Sequence, residues 1–400
     1  MIKTNILTNP FCVYVISFIF VFFAYSLGWS TLFPPISIQV KLFFCITFFI
    51  SLLFAYPINL FNKDILFEIP NSSLNVKILV FITLGYILEF FYNKGVPLFL
   101  LLFGKDVNYV AFGIPTFHVL LHTFTSFYGI YIFHQFLSTK EKPLLIFTLY
   151  TMVPHILIIN RGAVFIMLIA MLFVFLFSIK NIKIINIIGL FVVFIIVLYF
   201  FGLLGNKRSF AGDNLSFPNA TNVTDRYLES KIPKEYYWTY VYMASPLANF
   251  QYNVDSKRIN ANIFDYLLII RNELIPDFIS KRLPDLNINN NIEKQPDLIV
   301  PFLNVSTVFT SAYTMIGWMG PFIIYFYGVI LIYIFIFIVP KSSKYYITGF
   351  SILLTIMVFN TFTNMWNFSG LSFQLVYPVL GTWLNRKYLK YKYKNYYDKN

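Results

Sequence analysis

The sequence predicts an all-α polytopic membrane protein with about ten transmembrane helices and one large loop on a single side. Of its 400 residues, 58% are hydrophobic and 21% aromatic, while only 12% are charged, against about 25% charged in soluble domains. The apolar residues fall into stretches of roughly 16 to 22, close to the ~20 a helix needs to cross ~30 Å of hydrocarbon. Alternating polar and apolar patterns are absent, so helices rather than a closed barrel satisfy the backbone.

The expected spans, in chain order, are 11–27, 37–56, 76–92, 115–136, 144–159, 163–178, 184–204, 320–339, 345–364 and 371–385. The run 144–178 would be about 52 Å long as one helix, too long for a single crossing. It is expected to fold as a tight hairpin turning at Asn160-Arg161-Gly162. The chain then divides into helices over 1–204, a large loop over 205–303, further helices over 304–385 and a basic tail over 386–400.

Basic residues near span ends are retained in the cytoplasm, and this sets the orientation. With the N-terminus inside, the inner segments hold Lys3, Lys63, Lys77, Lys140, Lys142, Lys180, Lys183, Lys341, Lys344 and the six bases of the tail. The short outer segments hold only Lys41, Lys94, Lys105 and Arg161. Both termini are therefore expected inside. The net charge of +13 follows from topology and contact with anionic membrane lipids, and does not call for nucleic acid.

The outer loop, 205–303, holds 11 of the 17 acids and 11 of the 30 bases, and a polar excursion of that size is usually functional. Its half-apolar stretches 235–250 and 263–279 are expected to lie on the membrane surface or over a cavity as a lid, with the Asn-rich 286–297 as a tip. Cys12 and Cys45 fall inside spans and provide no disulfide framework. The first span has no small-residue cleavage site and is expected to be retained. No phosphate-cradling glycine loop, zinc-protease helix or nucleophile elbow occurs.

Arg161 is the residue whose charge needs a reason. It lies at the outer face, where basic residues are disfavoured, on a hairpin too short to need a charged cap. One reading is a side chain that snorkels to the headgroups; the other is a fixed cation for an anionic substrate. "GLLGNKRSFAGD" places Lys207 and Arg208 at the same depth, and two cationic sites at one level suit a phosphate or pyrophosphate. His118 and His122, four apart on one helix face, form at most half a metal site and fit packing or hydrogen bonding better. Glu89 is placed to pair with Arg161 or to reach the interface. Asp213, Asp225, Arg226, Asp255, Asp265 and Arg271 are loop charges, most of them expected to be solvated surface.

"KGVPLF", "FGIP" with His118, "NRGAVFI", "GNKRS", "YMASPLANF", "LIP", and "NVSTVF" with "GWMGPF" follow one another over residues 94–322. In that order they resemble the landmarks of bacterial O-antigen polymerases of the Wzy type. The resemblance implies a membrane glycosyltransferase of the GT-C kind in the inner membrane, working at the periplasmic face without a cofactor. Its substrates would be undecaprenyl-pyrophosphate-linked oligosaccharides as donor and acceptor, with a chain-length regulator as a candidate partner. It makes Arg161 and Arg208 the groups that hold the donor pyrophosphate, with Asp213, Asp225, His118 and His122 as candidates for the acceptor's base. Lys207, Gly162, Tyr242, Asn249 and Arg271 complete the candidate substrate-binding set, and no metal is called for. Two alternatives remain open: an O-antigen ligase using the same donor, and a polysaccharide flippase or transporter. The latter typically shows repeated halves with charged or broken helices at the bilayer midplane.

Overall fold

The computed structural model describes residues 2–3, 6–62, 67, 75–105, 112–179, 181–182, scattered positions between 185 and 203, 216–256, 259, 261–283 and 295–397. Among these the protein is helical, apart from one short ladder that pairs Ile2 with Ile182 and Lys3 with Asn181, and an isolated bridge between Ser30 and Val223. The first helices are α1 (Pro10–Ser26), α2 (Ile38–Asn62), α3 (Asn75–Tyr92), the short α4 (Pro97–Leu102), α5 (Phe117–Thr139), α6 (Lys142–Leu157) and α7 (Arg161–Ser178). Beyond the loop come α14 (Met319–Ile338), α15 (Tyr346–Phe359), the single turn α16 (Ser369–Ser372) and α17 (Val376–Tyr397), which carries the helix into the basic tail. The expected span 184–204 falls mostly outside the described residues.

Among the described residues, four helical stretches are long and apolar enough to cross a membrane: Ile38–Ile58, Asn75–Tyr92, Arg161–Ser178 and Met319–Ile338. α1, α6 and α15 are apolar but shorter. The outer surfaces of these helices carry bare Phe49, Phe91, Ile146 and Phe337, the last 88% exposed. Exposed apolar side chains in such number are stable against lipid and not against water.

α5 is the central helix, packed on α3, α6, α7 and α15. Many of its polar side chains, among them His122, Thr123, Thr125, Ser126, His134 and Gln135, are buried inside the bundle. Thr125 and Ser126 return their hydroxyls to the carbonyls of Leu121 and His122 at 2.8 and 3.1 Å, so these buried groups are satisfied within the helix. At Gly129 a Cβ would collide with Thr151 of α6 and Met167 of α7, so the absence of a side chain lets the three helices close.

The two ends of the bundle are distinct. α7 and α15 run antiparallel, with Phe177 against Phe350 at one end and Phe165 against Phe359 at the other. The first end also gathers the Ile2–Ile182 ladder and the Ser343–Thr382 hydrogen bond of 2.7 Å. The opposite end gathers the turn after α1 and the large loop, through Thr31 N–H to Asn222 O at 2.9 Å and Ser37 N–H to Gln251 Oε1 at 2.9 Å.

The described part of the loop is α8 (Ser216–Ala220), α9 (Asp225–Leu228), α10 (Tyr236–Ser256), α11 (Ile263–Ile269), a π-helical turn (Ile270–Leu274) and α12 (Asp277–Ser280). α13 (Thr310–Ile316) follows it. The stretch 235–250 is not a lid on the surface: within α10, Val241, Ala244, Leu247, Ala248 and Phe250 are fully buried, and the helix packs along α1 and α13. Tyr237, Trp238 and Tyr240 are consumed in a core in which Phe217 stacks on Trp238 at 3.6 Å, which removes the freedom a lid requires. α11 keeps its apolar side, including Ile263 and Leu267, exposed. Most of the Asn-rich tip lies outside the described residues.

Candidate functional site

The α6–α7 hairpin turns through Ile158–Asn160, two positions earlier than expected, and Arg161 is the first residue of α7. Ile159 takes φ of +62°, a left-handed conformation that costs a β-branched residue of order 1–3 kcal/mol. Asn160 holds the turn: its Oδ1 accepts from Ala163 N–H at 3.0 Å, and its amide lies 3.4 Å from His122 Nε2. Arg161 and Gly162 stand exposed on this clamped tip. A guanidinium on the first turn adds its charge to the positive end of the helix dipole, an unfavourable pairing unless an anion is bound there.

Beneath the tip, α3, α5 and α6 contribute a polar stack. Glu89 is fully buried and meets His118 Nδ1 at 2.9 Å. The rings of His118 and His122 are 5.4 Å apart, those of His122 and His155 4.4 Å, and His155 Nε2 lies 3.1 Å from Ser126 Oγ. Gly113, at φ +104°, makes room for the His118 ring, since a Cβ there would strike it. Glu89 is thus engaged by His118 and does not pair with Arg161. Among the described residues no group of three or more His, Cys, Asp or Glu is arranged to hold a metal ion.

The same end of the bundle carries a second polar feature built from segments far apart in sequence. The π turn places Glu273 between two adjoining cavities of about 200 Å³ each, which share Asn272, Glu273 and Ser311 as walls. Glu273 is buried; it accepts from Ser311 Oγ at 2.6 Å and from Asn364 Nδ2 at 2.9 Å. Burial pushes its carboxyl above the ordinary range, against the hydrogen bonds from Ser311 and Asn364. Asp277 opens α12 and binds Lys281 Nζ at 2.6 Å and Ser369 N–H at 2.9 Å. Burial would raise its carboxyl, but those partners outweigh it and hold it below its usual value.

The two features adjoin. Phe165, one turn into α7 from Arg161, packs on Phe359 at 5.8 Å, and the chain from Phe359 leads directly to Thr363 and Asn364 in the cavity wall. Arg282 Nη2 donates to Thr116 Oγ1 at 2.7 Å, tying the segment after α12 to the start of α5 beside His118. Arg271, on the π turn, donates to Leu283 O at 3.1 Å.

Other expected site residues lie elsewhere. Asn249 is fully buried and spends its amide on Leu303 O and Val305 O, at 2.7 and 2.8 Å, while its Oδ1 accepts from Ile299 N–H. It staples the returning loop and presents nothing to a substrate. Tyr242 stacks on Trp238 at the rim of the aromatic core. Asp225 is exposed on α9, next to Thr224, which bonds Trp29, and so belongs to the turn after α1. Lys207, Arg208 and Asp213 lie outside the described residues.

Glu273, Ser311, Asn364 and Asn367 are the residues that sequence reasoning missed. "LIP" directly follows Glu273, "NVSTVF" contributes Ser306, Thr307 and Val308 to the cavity wall, and "TNMWN" interrupts two apolar helices. Those breaks in hydrophobicity were the available signal. No protein family, curated protein or solved structure matches the chain.

Proposed function

We propose that the protein is a membrane glycosyltransferase of the GT-C kind that polymerises lipid-linked oligosaccharide repeat units. On this reading it acts at the periplasmic face of a bacterial inner membrane, through about ten spans with both termini inside. The observation that carries the reading is an exposed arginine on a rigid hairpin tip, at the same end of the bundle as a polar cavity with a buried carboxylate. Cation and cavity match the two halves of a glycosyl transfer from a pyrophosphate carrier.

As the glycosidic bond to the carrier breaks, charge builds on the pyrophosphate, and a guanidinium fixed before the reaction stabilises it without reorganising. Arg161 takes this role, with Arg208 and Lys207 as the second cationic site proposed from the sequence. The bare aromatic and aliphatic flanks suit an undecaprenyl chain arriving from the bilayer. Donor and acceptor are both undecaprenyl-pyrophosphate-linked units, and a chain-length regulator is the expected protein partner.

The test is the surface polysaccharide of a strain lacking the protein. A polymerase mutant caps its lipid core with a single repeat unit. Polymer accumulating on the lipid carrier would instead identify a ligase, and failure to export any unit a flippase.

A further inference from the structure

We propose that the cavity over Glu273 binds the attacking sugar of the acceptor and that Glu273 is the general base for its hydroxyl; this rests on the polymerase reading above.

The cavity walls favour an uncharged, hydroxyl-rich ligand. Asn272, Ser306, Thr307, Thr363 and Asn367 supply neutral donors and acceptors, and among the described residues no lysine or arginine lines either cavity. Among the described residues the charged groups in the walls are Glu273 and Asp277, and with Asp277 paired to Lys281 the carboxylate of Glu273 disfavours a phosphate there, whereas sugar hydroxyls find partners. Each cavity, at about 200 Å³, is of the size of one sugar ring. The site is thus complementary in charge to the Arg161 tip.

The two carboxylates differ in a way that selects one for chemistry. Asp277 is neutralised by Lys281. Among the described residues Glu273 has no ion pair, and its buried carboxylate rests on two neutral hydrogen bonds. A buried carboxylate without a cation is costly, and fold stability gives no reason to retain it. Burial also raises its basicity towards the range useful near neutral pH. The carboxylate is held firmly: the Asn364 amide that binds it also spans to Glu273 O at 2.9 Å, and Asn364 Oδ1 is itself fixed by Trp366 N–H at 3.1 Å. Each carboxylate oxygen retains a lone pair for a hydroxyl. The π turn that presents Glu273 is a local irregularity of the kind often found at functional sites.

In the step proposed, the acceptor oxygen bonds to the anomeric carbon of the donor sugar while its proton passes to Glu273. The bond from that carbon to the pyrophosphate oxygen breaks, and its electron pair leaves with the carrier. Glu273 then returns the proton to water.

The test uses the full-length protein in nanodiscs with the lipid-linked repeat unit, and in parallel the free repeat-unit oligosaccharide as a binding probe followed by saturation-transfer NMR. Glu273→Gln should lower kcat by about 100-fold or more with little change in KM. It should still bind the free oligosaccharide, and Glu273→Asp should recover part of the rate. The wild-type rate should rise with pH through the titration of Glu273, and that limb should vanish in the Gln variant. Polymerisation by folded Glu273→Gln at the wild-type rate would overturn the base role and leave the polymerase reading standing. A wild-type protein that binds the oligosaccharide but extends no carrier-linked unit would overturn the base role together with that reading. Failure of the wild-type protein to bind the oligosaccharide would overturn the subsite.

Discussion

Glu89 and His118, on neighbouring helices, are joined by a carboxylate-to-imidazole contact of 2.9 Å in which the carboxylate is wholly buried. The contact settles two matters at once. It gives the buried acid a partner, which such a residue in a membrane helix requires, and it leaves Arg161 without Glu89 as a counter-ion. The pair also locks α3 to α5 below the hairpin tip, so the arginine stands on a base built for rigidity.

Removing the acid should therefore loosen the fold more than a surface change would. Glu89→Ala leaves His118 with an orphaned ring nitrogen and is expected to cost about 3 kcal/mol. Glu89→Gln keeps a hydrogen-bonding partner and should cost less. Survival of monodisperse protein after heating in detergent measures both. Equal melting of wild type and Glu89→Ala would show that the pair carries no structural load.

Glu273 makes an opposite prediction about stability. Its carboxyl is raised above its ordinary value of 4.5 by burial, so the folded protein binds that proton more tightly than the unfolded chain. The stabilisation is fully present below the unfolded value and is lost as pH rises through the folded one. Glu273→Gln, which cannot ionise, should melt higher than wild type at neutral pH and match it near pH 4. Asp277, held low, has the reverse sign, so Asp277→Asn should lose stability at neutral pH. Thermal melts of the three proteins between about pH 4 and 8 test the signs, and a Glu273→Gln protein less stable than wild type at neutral pH would contradict the assignment.

The helices were legible because lipid leaves little choice: an apolar run of the right length has to be helical, and Asn75–Tyr92 and Arg161–Ser178 lie within two residues of the expected limits. Half of the polar stack was also legible, since His118 and His122 share one face of one helix. His155 and Glu89 join them only through packing of α6 and α3 on α5, which no local pattern encodes. Glu273 looked like one of many loop charges because its partners arrive from 38 and 91 residues away. The burial of α10 was hidden for a related reason: its Tyr and Trp residues suit an interface by composition, yet Tyr237, Trp238 and Tyr240 fill a core with Trp29 and Phe217.

The two-ended bundle predicts its own labelling pattern. Cys12 and Cys45 are unpaired and are replaced first. Ala220→Cys then lies at the large-loop end and Ser342→Cys at the ladder end, both at exposed positions. In intact spheroplasts an impermeant maleimide should label position 220 and spare position 342. Labelling at 342 with protection at 220 would reverse the orientation and move the Arg161 tip to the cytoplasm.

Arg161 remains the most direct test of the site. The hairpin turn is already provided by Ile159 at positive φ and by the Asn160 cap, so the turn itself has no use for a guanidinium. A side chain that only snorkels to the headgroups is replaceable by lysine, whose point charge on a long stem reaches the interface equally well. A side chain that grips a pyrophosphate through a planar fork is not, because lysine lacks the paired donors. Arg161→Lys should lose most polymerisation and Arg161→Ala nearly all, at unchanged abundance and melting temperature. Loss of one charge-assisted contact of about 3 kcal/mol in the transition state slows transfer on the order of 100-fold, enough to collapse a ladder of long chains towards single units. Complementation of a polymerase-null strain, with membrane levels measured in parallel, reads the effect. A full-length ladder from Arg161→Ala at normal abundance would assign the arginine to the headgroups.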